Sequence, residues 1–184
     1  MLVACDIFGM SEAFLSFLKE TNIADHAVIA SPYHGTKNHF ETEQQAYQYF
    51  QQQGGIEAYV LGLSIILKKN TEIKHVVGFS AGAAALYKVV SQLPLINIKL
   101  TLFYPGQIRH FLDKHPHSYC HIIFPVKEPN FSLLEVIKVL KLKPSVKVEQ
   151  TIYQHGFMNK ESLGFNQAAY SHYSQMLKKL VLQT

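Results

Sequence analysis

Arginine is almost missing from this sequence, and cysteine is nearly as scarce. Arg109 is the only arginine among the 17 basic residues, so the net charge of +4 comes from lysine. The lysines are scattered apart from Lys138, Lys141, Lys143 and Lys147. A nucleic-acid surface gathers arginine and aromatic residues on one face, so this composition argues against that class, and the lysine run reads as a solvated helix face. The two cysteines, Cys5 and Cys120, lie in or at the start of apolar runs and read as small buried hydrophobes, not as a disulfide framework. No apolar stretch approaches the ~18 residues of a membrane span, and the N-terminus lacks the basic and long apolar regions of a secretory signal. A soluble protein of the reducing cytoplasm, with no membrane or nucleic-acid partner, is expected.

What the sequence does have is apolar material, 48% of 184 residues, enough for one domain over positions 1–184 with a sizeable core. Leu2 to Phe8 is a nearly unbroken apolar run closed by Gly9, which predicts a strand buried on both faces. Ser11 to Glu20 reads as an amphipathic helix. A strand follows over Ala27 to Ser31, ended by Pro32. Asn38 with Glu41 three residues on predicts the start of a helix that Gly54-Gly55 stops, its six glutamines between Gln44 and Gln53 forming the wet face. Further helices are read at Ile56 to Leu67, Ala81 to Leu93, Gln107 to Lys114, Phe131 to Leu142 and Asn166 to Leu182. Strands are read at Ile73 to Phe79, Leu95 to Tyr104, Tyr119 to Val126 and Val146 to Tyr153.

This alternation predicts a three-layer α/β/α sandwich with a mainly parallel sheet of about six strands and right-handed crossovers. In such sheets the reactive site lies beyond the carboxyl ends of the strands. The loops to inspect therefore begin near Gly9, Pro32, Ser80, Pro105, Lys127 and Gln154.

One of these loops holds Gly78-Phe79-Ser80-Ala81-Gly82, preceded by Val76-Val77 as a strand and followed by Ala83, Ala84, Ala85 and Leu86 as a helix. A glycine-x-serine-x-glycine segment between strand and helix is a nucleophile elbow: the glycines permit a turn in which side chains would clash, and the serine hydroxyl is lifted clear of the sheet. The helix that follows offers the Ala81 amide to an oxyanion. A serine nucleophile needs a base, and the base needs a carboxylate. His155 follows the sixth strand and Glu128 the fifth, giving the order serine, acid, histidine. Asp113 is the rival acid, but it lies in or at the end of a helix and not at a strand end. His26, His75 and His121 fall within or at the starts of strands, away from the reactive edge. His110, His115, His117 and His121 crowd one stretch, but Pro116 interrupts it and no carboxylate accompanies it, so neither metal nor cofactor is expected.

At these residues the sequence resembles the α/β-hydrolase superfamily, and within it the dienelactone hydrolase family, over most of its length. Asp6-Ile7-Phe8-Gly9 resembles the family's acidic-Ile-Phe-Gly segment, Gly78-Phe79-Ser80-Ala81-Gly82 its elbow, and His155-Gly156-Phe157 its histidine loop. The resemblance implies a minimal α/β-hydrolase fold with the Ile7 amide as second oxyanion donor. It also implies that the two strands usually preceding the oxyanion strand are absent, so that Ala27 to Ser31 becomes an edge. Exposed edges favour pairing with another chain, here a homodimer, or covering by a loop. The family carries cysteine at the elbow where Ser80 stands, usually aspartate where Glu128 stands, and arginine four residues after the histidine where Asn159 stands, with Lys160 the nearest substitute. These differences point away from dienelactone itself and towards ordinary serine chemistry on a small carboxylic ester or thioester. Tyr33, His34, Phe40, Tyr104 and Phe157 would make its pocket partly apolar. The alternative is a non-catalytic relative that keeps the fold to bind a ligand or protein.

Overall fold

The computed structural model describes residues 1–95 and 97–181. Among them six strands form one sheet: β1 (Leu2–Ala4), β2 (Val28–Ala30), β3 (His75–Phe79), β4 (Lys99–Phe103), β5 (Tyr119–Phe124) and β6 (Val146–Gln150). Their order is β2-β1-β3-β4-β5-β6, and every pairing is parallel. Parallel neighbours require crossovers. These are supplied by α1 (Glu12–Glu20), α2 (Glu43–Gln52), α3 (Gly55–Lys69), α4 (Ser80–Gln92), a 3-10 helix at Gly106–Phe111 and α5 (Leu133–Lys141), while α6 (Gln167–Val181) closes the chain.

Two cores explain the unbroken apolar runs of the central strands. Leu2, Ala4, Val76, Leu100, Leu102, Cys120, Ile122 and Phe124 pack on one side against α2, α3, α4, α5 and the 3-10 helix. Val3, Val77, Phe79, Phe103 and Ile123 pack on the other against α1 and α6. Successive strand residues thus serve opposite faces, and both faces are covered. The result is a three-layer α/β/α sandwich, as the alternation predicts. Both cysteines are free and buried. Among the described residues no helix is long and apolar enough to cross a membrane.

Several boundaries differ from the sequence reading. Strand β1 stops at Ala4 because Cys5 to Gly9 form a tight turn, in which Gly9 N donates to Asp6 O at 3.1 Å and Phe8 N to the Asp6 carboxylate at 2.9 Å. Helix α2 begins after Thr42, not at Asn38: the Thr42 hydroxyl accepts from Gln45 N at 3.1 Å and the Gln45 side chain accepts from Glu41 N at 2.9 Å. Asn38 instead donates its amide to Thr36 O. The element after β4 is a short 3-10 turn ending at Phe111, before the expected Lys114. Strand β4 starts at Lys99, after the expected Leu95, and the expected residues Ile96 and Leu182 lie outside the described ones. Strand β2 stands at the sheet edge as expected and is only three residues long.

The chain runs outward from β1 to β2 and then returns across β1 to β3, so the order of the sheet reverses between β1 and β3. A crevice opens at the carboxyl ends of strands where such a reversal occurs. The turn after β1 and the serine after β3 therefore face one another across it.

Candidate functional site

Strand β3 passes directly into α4 at Ser80, whose φ of +46° lies in the left-handed region. A non-glycine residue held there costs of order 1–3 kcal/mol. The flanking glycines show why the turn needs them. A methyl at Gly78 would come within 2.7 Å of Ala83 Cα, and one at Gly82 would overlap the Cys5 carbonyl oxygen and come within 2.9 Å of Ala4 O. Helix α4 is thereby pressed against the end of β1, with its first turn pointing into the crevice.

Ser80, His155 and Glu128, chosen from three separate post-strand loops, meet in one hydrogen-bonded chain. Ser80 Oγ lies 3.0 Å from His155 Nε2, and His155 Nδ1 lies 2.7 Å from Glu128 Oε1. The neutral tautomer that satisfies both contacts carries its proton on Nδ1, leaving Nε2 free to accept from the serine hydroxyl. The Glu128 side chain is 6% exposed and that of His155 34%, so the pair sits at a boundary between core and cleft. Tyr104, itself at a φ of +39°, lays its ring 5.0 Å from the imidazole and limits its tilt.

Asp113 is not part of this group: its side chain is 68% exposed and pairs with Lys114 at 2.7 Å. His121 bonds Glu149 at 3.0 Å on the sheet, away from the serine. Among the described residues no group of three or more His, Cys, Asp or Glu side chains is arranged to hold a metal ion.

Two backbone amides, one next to Ser80 in the chain and one across the cleft from it, have no acceptor among the described residues. Ala81 N belongs to the first turn of α4, where no intrahelical acceptor exists. Ile7 N, in the turn after β1, donates to no group among the described residues, and Ile7 lines the same cleft as Ser80. Beneath this turn Asp6 is almost fully buried and accepts from Phe8 N at 2.9 Å and from Asn159 Nδ2 at 2.8 Å. Burial dominates over these two donors and pushes its carboxyl up to about 6. Asn159 thus faces a buried carboxylate. Lys160 turns away, pairing with Glu20 at 2.8 Å and lying over the Tyr170 ring.

The cleft has a volume of about 600 Å³, within the usual range for small-molecule sites. Its walls are partly apolar, as the sequence leads one to expect, but residues other than those named there supply them. None of Tyr33, His34, Phe40, Tyr104 and Phe157 lines it. Tyr33, Tyr104 and Phe157 are buried in the two cores, and only Tyr104 reaches a side compartment of about 60 Å³ next to Ser80. Ile7, Tyr47, Pro129 and Leu163 line its apolar part, and polar side chains are set among them: Glu43 and Gln44 from the start of α2, Gln107 and Arg109 from the 3-10 helix, and Lys127 and Asn130 around Glu128. Sequence reading missed these residues. Arg109 and Lys127 obey the same post-strand rule that selected Glu128, whereas Glu43 is held at the cleft by a bond from Ser162 that no local pattern reveals.

No family model matches the sequence. The uncharacterized protein YczH of Bacillus subtilis (strain 168) is 26% identical over 178 residues, which cover 92% of this chain and 86% of that protein. Among solved structures, a proposed dienelactone hydrolase from Klebsiella pneumoniae subsp. pneumoniae aligns with a TM-score of 0.72 at 10% identity, over 100% of this chain and 86% of the other. The dienelactone hydrolase-like promiscuous phosphotriesterase P91, from metagenomic libraries, aligns with a TM-score of 0.65 at 13% identity, over 99% and 84%. A dienelactone hydrolase from Anabaena variabilis aligns at 0.61 and 12%, over 99% and 85%. At these identities the likeness is one of fold, and the fold is that of the α/β-hydrolases.

Proposed function

We propose that this protein is a serine hydrolase that cleaves a small carboxylic ester or thioester through an acyl-enzyme on Ser80. The observation that carries the reading is the unbroken contact from Ser80 Oγ through the imidazole of His155 to the Glu128 carboxylate, at 3.0 and 2.7 Å. A buried glutamate donates nothing when ionised, so its contact with Nδ1 both selects the tautomer and stabilises the imidazolium that forms. Ser80 Oγ attacks the carbonyl carbon while His155 Nε2 takes its proton. The carbonyl oxygen becomes an oxyanion that accepts from the Ala81 and Ile7 amides. Collapse of the tetrahedral adduct expels the alcohol or thiol, which receives the proton from His155, and water then repeats the sequence on the acyl-serine.

The moderate volume of the cleft, and walls that mix Tyr47 and Leu163 with Arg109, Lys127 and Glu43, support a small ester that carries both apolar and polar groups. Fluorophosphonate labelling tests the reading. The folded protein should be labelled, and Ser80→Ala should abolish the label. A well-folded wild-type protein that takes no label would overturn it in favour of a ligand-binding relative of the same fold.

A further inference from the structure

The turn from Cys5 to Gly9 is fixed from several directions. Cys5 N donates to Ala30 O at 3.0 Å, and Cys5 O accepts from the Tyr59 hydroxyl at 3.1 Å. Asp6 O accepts from Gly9 N and the Asp6 carboxylate from Phe8 N. Ile7 O accepts from the Tyr33 hydroxyl at 2.5 Å. Buried backbone groups are almost always paired. An amide left open in such a turn is therefore available to an atom the turn itself does not supply; Asp6 N and Ile7 N are both open among the described residues, and of these two residues Ile7 lines the main cleft with Ser80.

The peptide joining Ile7 to Phe8 is held at both ends, its carbonyl by Tyr33 and its N-H by Asp6. Only the Tyr33 bond reaches it from outside the turn, across 26 positions of sequence. Tyr33 is itself well anchored. It is 3% exposed, its N-H donates to Ser31 Oγ at 3.1 Å, and its ring packs with Phe40 and Tyr49 at centroid distances of 6.1 and 5.0 Å. The same ring lies so close to Gly9, at a φ of +66°, that a methyl there would come within 2.7 Å of it. Burial raises the phenol's pKa, so the group stays a donor through the working range of pH.

We infer that Tyr33 is a positioning residue for the oxyanion hole: its bond to the Ile7 carbonyl fixes the peptide on the carboxyl side of Ile7, as Gly9 N fixes the carbonyl of the peptide that carries the Ile7 N-H, and together they limit how that N-H can swing. This rests on the hydrolase reading above. Tyr33 lines neither the cleft nor the compartment next to Ser80, so its effect falls on the transition state, where the oxyanion needs the donor, more than on the bound ester.

Tyr33→Phe keeps the ring and removes only the hydroxyl. Deleting one oxyanion donor outright costs about 100- to 1000-fold in turnover; misaiming it should cost less, roughly 10- to 50-fold in kcat, with KM changed by less than about threefold. A trifluoromethyl ketone, which forms a tetrahedral oxyanion on the serine, should lose affinity by the same factor as kcat. Tyr59→Phe is the comparison: its hydroxyl ties Cys5 O to Ala30 O upstream of the donor and should lower the melting temperature without that selective loss. Neither KM nor the inhibition constant depends on how much of the sample is folded, so their ratio remains decisive even for a less stable variant. An unchanged ratio in Tyr33→Phe, with wild-type protein labelled by fluorophosphonate, overturns this inference alone. Wild-type protein that takes no label overturns the hydrolase reading with it.

Discussion

Gly82→Ala separates the packing account of the elbow from a purely conformational one. Gly82 lies inside α4, where alanine is the better helix former by about 1 kcal/mol, so propensity alone predicts stabilisation. The structure predicts the opposite. The added methyl would overlap Cys5 O and meet Ala4 O at 2.9 Å, and both are backbone atoms at the end of a central strand, with no flexible side chain to yield. Relief requires α4 and β1 to move apart, and overpacking of this kind costs typically about 1–3 kcal/mol. For a chain of this size that is a fall in melting temperature of roughly 2–12 °C. The strand end that must move leads into Asp6 and Ile7, so kcat should fall as well. Gly62→Ala is the control: it also lies within a helix, α3, and a methyl there meets nothing within 4 Å. It should raise the melting temperature by about 1–4 °C. Calorimetry on the two variants decides the matter, and a Gly82→Ala protein that melts at or above wild type would refute the reasoning.

The remaining expectations concern the hydrogen-bonded chain and the buried acid beside it. His155→Ala should lower kcat on a p-nitrophenyl ester by at least about a thousandfold and Glu128→Gln by somewhat less. Asp113→Asn, altering an exposed carboxylate paired with Lys114, should leave the rate within a factor of two or so; a larger loss there than in Glu128→Gln would overturn the choice of acid. Asp6 shifts from an ordinary 3.8 to about 6 on folding, chiefly through burial. The native state therefore holds a proton that the unfolded state has released across that window. Stability from this group is full below pH 3.8 and lost as pH rises through about 6, by at most about 3 kcal/mol. Urea midpoints from pH 4 to pH 7 should show the wild type losing ground to Asp6→Asn with rising pH, and parallel curves would refute the assignment.

Features set by local composition were legible in the sequence. Doubly buried strands announce themselves as apolar runs, and Gly78-Phe79-Ser80-Ala81-Gly82 carries its own steric logic. His155 and Glu128 were reachable because strand ends can be located to within a few residues and the reactive edge of a parallel sheet is known in advance. Element boundaries were not legible where long-range bonds set them. Asn38 with Glu41 and Thr42 with Gln45 both fit a helix-start pattern four residues apart, and only the folded chain shows that Thr42 takes the role. Strand β1 looked longer than it is because Cys5 to Phe8 are mostly apolar, while the bonds that bend them away come from Ala30, Tyr33 and Tyr59. The partly apolar character of the cleft was legible but its residues were not, for a related reason: an aromatic residue after a strand can face the loops or fold back on the core, and Tyr33 and Phe157 do the second.

Asp6 and Asn159 bear on what the cleft can accept. The resemblance to dienelactone hydrolases leads one to expect arginine at position 159, four residues after the histidine, where it would hold a substrate carboxylate. Here a short neutral amide stands there instead, and it is committed to Asp6 at 2.8 Å. A buried carboxylate facing a cation would be pulled below its ordinary pKa. Asp6 is pushed up to about 6, because burial outweighs two neutral donors. The pair therefore works inward, bracing the turn that presents Ile7, and offers no positive charge to a substrate. Whatever charge the cleft presents to a ligand must come from side chains on its walls, Arg109, Lys127 and Glu43 among them. The position four residues after His155 thus supplies no cation to the cleft, and Arg109 and Lys127 are the basic side chains on its walls.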